Sequence, residues 1–344
     1  MAHAATVAGS ERDAVAANWS WDQMLDDFRA FGGVAENICR REGTHGRGLF
    51  AVDRGKPSRI VVPEVLLIHA DRIFFEDGLL RVKDVRGPAE QFFEKYQNSF
   101  SWGGGGREDC EEKLGTLQSI PADVLAFVTA NFEMPAFHDT EAWIRQKFVT
   151  SRMVRYANRW VLMPVLDLVN HGHLAKFADT KGLEVRGVFE SELLVSYNYS
   201  DALSLFGAFG FPSRERKAYS VSMQISHDAR RLVIGRRLDE TKKGEQFFMP
   251  TVEQNGARIA LSHLMIGNAL TPRLPRAIFQ KSMRGTGVAG LDELFDRIVH
   301  TNNQKLFDLL ALLENHDGQG VPVLRKVIHY QLEGIAQRVG TRDL

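Results

Sequence analysis

The sequence predicts an α+β protein, a β-rich domain carrying a helical insert and followed by a mainly helical C-terminal domain. Three observations predict it. Residues 38–69 are short apolar stretches, Gly48–Val52, Arg59–Val62 and Val65–Ile68, punctuated by Gly46, Gly55, Pro57 and Pro63 as short strands and turns require. From Asp71 to Phe148 the pattern becomes mostly helical, without the strand–helix alternation of a doubly wound sheet. Strand character then returns between Trp160 and Tyr197, and helices dominate the remainder.

Taken in order, Trp21, Leu25 and Phe28 give Trp19–Phe31 a helical spacing that Gly32-Gly33 stops. Within the insert, Pro121–Val128 and Glu141–Phe148 read as helices and Gly103–Gly106 as a loop. The returning strands are Trp160–Met163, Leu183–Phe189 and Leu193–Tyr197, with a further β-rich stretch over Tyr219–Ile234. Helices are expected over Asn255–Leu270, Gly290–Val299, Asn303–Asn315 and Val323–Val339. The expected domains are residues 19–212, with the insert at about 71–148, and residues 213–344.

The chain of 344 residues is 44% hydrophobic and 25% charged, which excludes a disordered composition. Lys plus Arg and Asp plus Glu number 43 each, so no global charge draws it to nucleic acid or an anionic membrane. Cys39 and Cys110 form no CxxC pair, which argues against a zinc cluster or a disulfide framework and sets the expected compartment as cytoplasmic. Met1 to Asn18 carries Glu11, Arg12 and Asp13 and lacks the apolar core of a signal peptide. No apolar run approaches the length of a membrane span. Arg230-Arg231, Arg236-Arg237 and Lys242-Lys243 make Arg214–Lys243 locally basic.

Two clusters carry candidate chemistry. Gly46-Arg-Gly-Leu-Phe-Ala51 fits the G-x-G-x-x-A pattern, but Gly55 and Pro57 would break the helix that dinucleotide binding needs. The glycines form either an ordinary tight turn or backbone that a ligand approaches closely. In Met163–Gly172, apolar residues surround Asp167, Asn170 and His171. This segment reads as an Asx turn, as a metal site using Asp167, His171 and His173, or as a ligand-binding turn in which Asn170 donates and accepts. No metal is expected, because no matching ligand pair occurs elsewhere.

Three segments also stand in one known order. Gly46–Ala51 resembles the first glycine motif of SET-domain methyltransferases, Asp167-Leu-Val-Asn-His171 their Asn-His motif, and Glu192-Leu-Leu-Val-Ser-Tyr197 the strand that ends in their catalytic tyrosine. Ser151-Arg152 and Ala208-Phe-Gly-Phe211 resemble elements of the branch related to the plant Rubisco large-subunit lysine methyltransferase. Two positions depart from the pattern. Asn198 follows Tyr197 where a glycine is usual, and Phe209 stands where Tyr is frequent.

The resemblance implies a β-rich SET domain and transfer of a methyl group from S-adenosyl-L-methionine to a lysine side chain of a protein substrate. It implies catalysis by Tyr197 and cofactor binding by Gly46, Arg47, Gly48, Leu49, Arg152, Asn170, His171 and Tyr197. Tyr199 and Phe209 become candidates for the substrate-channel wall, and the C-terminal helices for substrate docking. Methylation of a small-molecule amine or peptide, another use of S-adenosylmethionine on such a substrate, and a catalytically inactive partner-binding module are the alternatives.

Overall fold

The computed structural model describes residues 19–132, 139–197, 201–238 and 244–336. It divides into two compact units, Met1–Glu111 with Glu141–Asn198, and Glu112–Thr140 with Tyr199–Leu344. The expected boundary near residue 212 thus falls inside the second unit, and residues 112–140 of the helical insert are grouped with that unit as well.

The first unit opens with α1 (Trp21–Ala30), whose start is fixed by a capping box between Ser20 and Gln23. Its Met24, Leu25 and Phe28 are buried, and Gly32 in the left-handed region (φ 86°) turns the chain out of the helix. Then follow β1 (Val34–Glu36), β2 (Ile38–Gly43), β3 (Gly46–Ala51) and β4 (Pro57–Pro63). Next come β5 (Ile68–His69), β6 (Ile73–Glu76), β7 (Leu79–Val82) and α2 (Pro88–Phe100). After α2 a kinked turn, Trp102–Gly106, leads into α3 (Arg107–Gln118), within which the division between the units falls.

The β6–β7 hairpin lies where mostly helical structure is expected. Its turn is Asp77-Gly78, both residues with positive φ (51° and 76°). Asp-Gly between apolar residues favours a tight hairpin, and this local turn chemistry overrides the helical spacing around it. Gly103–Gly106, expected as a loop, forms the kink between α2 and α3, with Gly104 and Gly105 off helical backbone angles.

α4 (Ala122–Phe132) belongs to the second unit, and α5 (Thr140–Arg152) returns the chain to the first. There β8 (Val154–Tyr156), β9 (Arg159–Leu162), β10 (Asn170–Ala175), β11 (Ala178–Thr180), β12 (Gly182–Val188) and β13 (Leu194–Val195) complete the unit. An antiparallel sheet runs in the order β1-β4-β12-β11, a second in the order β5-β9-β8, and β2 pairs with β3. The edges of α1, α2 and these sheets close on one core that includes Phe28, Leu49, Ile60, Val62, Phe92, Tyr96, Val165, Leu183 and Phe189.

The second unit adds α6 (Ala202–Phe209), β14 (Lys217–Tyr219), β15 (Met223–His227), β16 (Arg230–Ile234), β17 (Val252–Asn255), β18 (Arg258–Leu261) and β19 (Met265–Asn268). It ends with α7 (Leu274–Ser282), α8 (Leu291–Leu313) and α9 (Gly320–Ala336). Its larger sheet has the order β15-β16-β18-β17. Asn255–Leu270, expected as a helix, is instead the turn and strands of this region. Asn255-Gly256 makes the β17–β18 turn, with Gly256 at φ 56°. The two helices expected over Gly290–Asn315 are one helix. α8 runs through Asn302, which is fully buried and accepts the Val221 N–H at 2.8 Å, so tertiary bonding holds a residue that would weaken an isolated helix.

The polar centre of this unit is Asp201. Fully buried, it caps α6 by accepting the Ser204 N–H (2.9 Å) and also accepts the Tyr219 N–H (2.9 Å), the Gln331 amide (2.7 Å) and the Arg236 guanidinium (2.8 Å). Burial by itself would raise its pKa, but Arg236 and the N–H donors outweigh it and hold the carboxyl below the usual range. Arg236 therefore does not belong to a solvated basic face. Arg230 and Arg231 are likewise bonded, to Thr286 O and to the Gln224 side chain. Lys242 and Lys243 lie outside the described residues. No helix among the described residues is long and apolar enough to cross a membrane.

Asp201→Asn should destabilise the protein by about 3–5 kcal/mol in chemical denaturation, because Arg236 is left buried without its counter-charge. A carboxyl whose folded pKa is lowered stabilises above its unfolded pKa of about 3.9 and loses that contribution as pH falls through the folded value. Below about pH 4 the wild type should therefore lose stability with a slope that Asp201→Asn lacks.

Candidate functional site

The β2–β3 hairpin turns at Thr44-His45 with Gly43 opposite Gly46. Gly46 has φ 83° and a side chain added there would meet nothing within 4 Å, so it serves the turn. Gly48 has a different task. A Cβ at Gly48 would lie 2.5 Å from Glu192 Oε1 and 2.8 Å from Asn170 Nδ2. The close approach anticipated from the sequence is thus made by two side chains of the protein.

Those side chains arrive on adjacent strands. Leu193 N–H donates to Leu49 O at 2.8 Å and Ala51 N–H to Ser191 O at 3.0 Å, which lays residues 191–193 beside β3. Directly after them β13 pairs in parallel with β10, setting Asn170 opposite Leu194 and His171 opposite Val195. Asn170 then donates both amide hydrogens, to Arg47 O at 3.1 Å and to Glu192 Oε1 at 2.7 Å. Its Oδ1 has no protein donor among the described residues. The Arg47 and Leu49 carbonyls are engaged by Asn170 and Leu193 respectively, so their part in holding a ligand falls to other backbone atoms.

Arg47 is anchored at its other end too. Its guanidinium donates to Gly104 O, to Gly105 O at 2.5 Å and to Asp109 at 2.9 Å, while Arg40 adds a second bond to Gly104 O at 3.1 Å. Gly105 sits at φ 103°, and a Cβ there would overlap the Arg47 guanidinium. The glycine run is therefore a clamped turn, with Trp102 buried at its base and Phe75 and Phe148 packed at ring distances of 4.7 and 5.0 Å.

Tyr197 hangs at the end of the segment that follows β13. Its hydroxyl donates to Val169 O at 2.6 Å, its own N–H donates to His171 Nδ1 at 3.3 Å, and its ring stands edge-on to His171 at 5.1 Å. His171 thus holds the tyrosine with its side chain. Burial pushes the Tyr197 phenol well above its ordinary pKa; Glu192 and Asp167 push the same way, and Arg152 opposes them.

Behind this layer stands Asp167, accepting the Tyr96 hydroxyl at 2.5 Å and the Gln97 amide at 3.2 Å. Burial raises the Asp167 pKa against the pull of its hydrogen-bond donors and Arg152, and burial with the Asp167 charge raises Tyr96 further. The carboxylate raised as a metal ligand is thus committed to two donors from α2. Just before it Val165, buried and β-branched, sits at φ 67° and ψ −56°, and the Leu166 N–H closes a three-residue γ-turn onto Pro164 O at 2.8 Å. That conformation is strained, and the packing around it has to hold it in place.

Arg152, the last residue of α5, lies over the Phe148 ring at 4.1 Å and donates to Ser151 Oγ at 3.1 Å. Its Nε is buried without a partner, and among the described residues it forms no ion pair. A guanidinium in this condition is an open site for a carboxylate.

The structure therefore brings Gly48, Arg47, Leu49, Asn170, His171 and Tyr197 into one bonded assembly in the first unit. Arg152 only partly offsets the burial that raises the Tyr197 phenol pKa. Phe209 belongs to the second unit, where it ends α6 with its ring 5.9 Å from Phe211. Tyr199 and Asn198 lie outside the described residues. Sequence reasoning missed Tyr96 and Gln97, which sit on a helix with no motif, and Glu192, whose signal was an acid opening an otherwise apolar strand.

No family model matches the chain. A protein of Aquifex aeolicus (strain VF5), described as an uncharacterized protein, is 28% identical over 116 residues, which are 32% of this chain and 93% of that one. Among solved structures, the chain is similar to the SET domain of LSMT bound to methyllysine and AdoHcy, with TM-score 0.42 and 16% identity over 92% of this chain and 90% of that one. It is similar also to Rubisco LSMT bound to AdoMet, with TM-score 0.43 and 14% identity over the same shares.

Gly48→Ala tests the assembly without any ligand. The added methyl should force Asn170 and Glu192 off β3 and cost about 1–3 kcal/mol in denaturant. Gly46→Ala, at an open turn position, should cost only the positive-φ penalty of about 1–2 kcal/mol.

Proposed function

We propose that the protein is an S-adenosylmethionine-dependent methyltransferase that methylates a lysine side chain of a protein substrate in the cytoplasm. One observation carries this reading. Asn170 and the Arg47 backbone, 123 residues apart, are joined by a hydrogen bond, and Tyr197 is bonded to Val169, the residue beside Asn170. The three sequence motifs that resemble SET domains thus meet in one place.

The open groups suit the cofactor's amino-acid end. Arg152, with its buried unpartnered Nε, would take the carboxylate, and Asn170 Oδ1 would accept from the ammonium. Gly46, Arg47, Gly48, Leu49 and His171 would contribute backbone around it. When bound, S-adenosylmethionine supplies a methyl group made electrophilic by its sulfonium.

What the protein adds is position. A lysine ammonium must lose its proton before its lone pair can attack, and an apolar approach favours the neutral form. Tyr197 does not serve as the base, because its phenol is held protonated at neutral pH and its proton is already given to Val169 O. Its oxygen is left as a fixed acceptor that orients the amine. By resemblance, Tyr199 and Phe209 would line the acceptor's channel, and the absence of a hydroxyl at Phe209 would allow more than one methyl transfer.

Tyr197→Phe should keep cofactor affinity within about threefold and lower turnover by roughly 100-fold, from the lost orientation alone. The rise of turnover with pH should follow the acceptor amine, whose free pKa is about 10.4, so it keeps its shape in Tyr197→Phe. A changed pH profile would assign Tyr197 a proton. Labelled cofactor incubated with a cell lysate tests the acceptor: label in protein supports lysine, and label confined to small molecules supports an amine metabolite or peptide. Mass spectrometry should find di- or trimethylated product, and fewer methyl groups from Phe209→Tyr.

A further inference from the structure

Asp167 is where a helix grips a turn. From α2, Tyr96 donates its hydroxyl to Asp167 Oδ1 at 2.5 Å, and Gln97 donates its amide to Oδ2 at 3.2 Å. Both donors are fully buried, and the Tyr96 ring packs against Phe92 and Phe100 of the same helix at ring distances of 6.5 and 6.1 Å. Asp167 itself lies in the short turn Leu166–Leu168, which opens at Val165 with φ 67°. The turn ends by fixing Val169. The Val169 N–H donates to Leu166 O at 3.2 Å, and its carbonyl accepts the Tyr197 hydroxyl at 2.6 Å. A strained turn keeps its shape only where its surroundings over-determine it, and two bonds from a packed helix do that here.

We infer that Tyr96 and Gln97 are positioning residues for the transfer: by holding Asp167 they set the place of the Val169 carbonyl and, through it, the Tyr197 hydroxyl. The inference rests on the function proposed above, in which the Tyr197 oxygen orients the amine. The path is short. Asp167 and Val169 are two residues apart, and one hydrogen bond joins Val169 to the phenol. A phenol hydrogen turns about its C–O bond, so its acceptor decides where the oxygen's lone pairs face. A displaced Val169 carbonyl would therefore misdirect the very group that meets the amine. Asn170, the next residue, is held separately by Arg47 O and Glu192. Loosening the turn thus disturbs Tyr197 before it disturbs the contact assigned to the cofactor.

Tyr96→Phe removes one hydroxyl and keeps the ring. The rate of label transfer from S-adenosylmethionine to lysate protein, at saturating cofactor, should fall about tenfold, the loss expected when a positioning contact loosens by a fraction of an ångström. Calorimetric affinity for S-adenosylhomocysteine should stay within about twofold, because the loss lies in the transition state alone. In a Tyr197→Phe background the same change should lower the rate by no more than about twofold, since the oxygen it positions is gone. A merely structural role predicts an equal factor in both backgrounds, and that result would overturn the inference, as would a wild-type rate in Tyr96→Phe. Gln97→Leu removes the other bond to Asp167, should show the same pattern, and serves if Tyr96→Phe does not fold. One readout needs no acceptor. The Cζ resonance of Tyr197 in labelled protein, assigned by its loss in Tyr197→Phe, should move in Tyr96→Phe; an unmoved resonance would sink the inference and leave the proposed function standing. Wild-type protein that transfers no label would refute the proposed function, and this inference with it.

Discussion

Everything distinctive in the first unit depends on one amide. The Asn170 side chain ties the Arg47 backbone to the Glu192 carboxylate, and only a glycine at position 48 leaves room for the three to meet. Such a bridge draws on both amide hydrogens, so neither an aspartate nor an alanine reproduces it. Because Arg47 lies on a hairpin, Asn170 on β10 and Glu192 just before β13, the same two bonds fix three segments that are remote in sequence. The parallel β10–β13 pairing is short, and side-chain bonds supply the register that so few backbone bonds would leave loose.

Around this bridge hydrogen bonds from side chains tie down the turns. Arg40 and Arg47 both bind Gly104 O, converting a run of glycines, with its large unfolded-state entropy, into one defined turn. Asp167 holds Tyr96 and Gln97 from α2, and next to it the strained Val165 turn is tolerated because its side chain is fully buried. Backbone strain two residues before Asp167 and five before Asn170 is stored where the chain must change direction to present both.

The sequence disclosed these features unevenly, for physical reasons. The strands over Arg59–Val62 and Leu183–Phe189 were legible because their burial alternates or runs continuously between turn residues. The β6–β7 and β17–β18 hairpins were passed over although Asp77-Gly78 and Asn255-Gly256 mark them, since the residues beside those turns also fit a helical spacing. The α8 helix looked broken between Val299 and Asn303 because the bond from Val221 that holds Asn302 comes from a segment remote in sequence. At the site, Asn170, Tyr197 and the glycines were legible through their order along the chain. Tyr96, Gln97 and Glu192 were not, because each acquires its role only from a partner between 22 and 71 residues away. At Gly48 the sequence left open a tight turn or close approach by a ligand, and the groups that approach are the protein's own Glu192 and Asn170, which only the fold brings there.

The polar accounting of the site also says what kind of molecule it lacks. Donors and acceptors that the chain can satisfy alone are satisfied: Tyr197 by Val169, Asp167 by Tyr96 and Gln97, the Asn170 amide hydrogens by Arg47 and Glu192. Among the described residues, Arg152 Nε, Gln97 Oε1 and Ser101 Oγ are buried without a partner, and Asn170 Oδ1 has no protein donor. A carboxylate on a ligand would complete the Arg152 guanidinium, and an N–H donor beside it would complete Asn170 Oδ1.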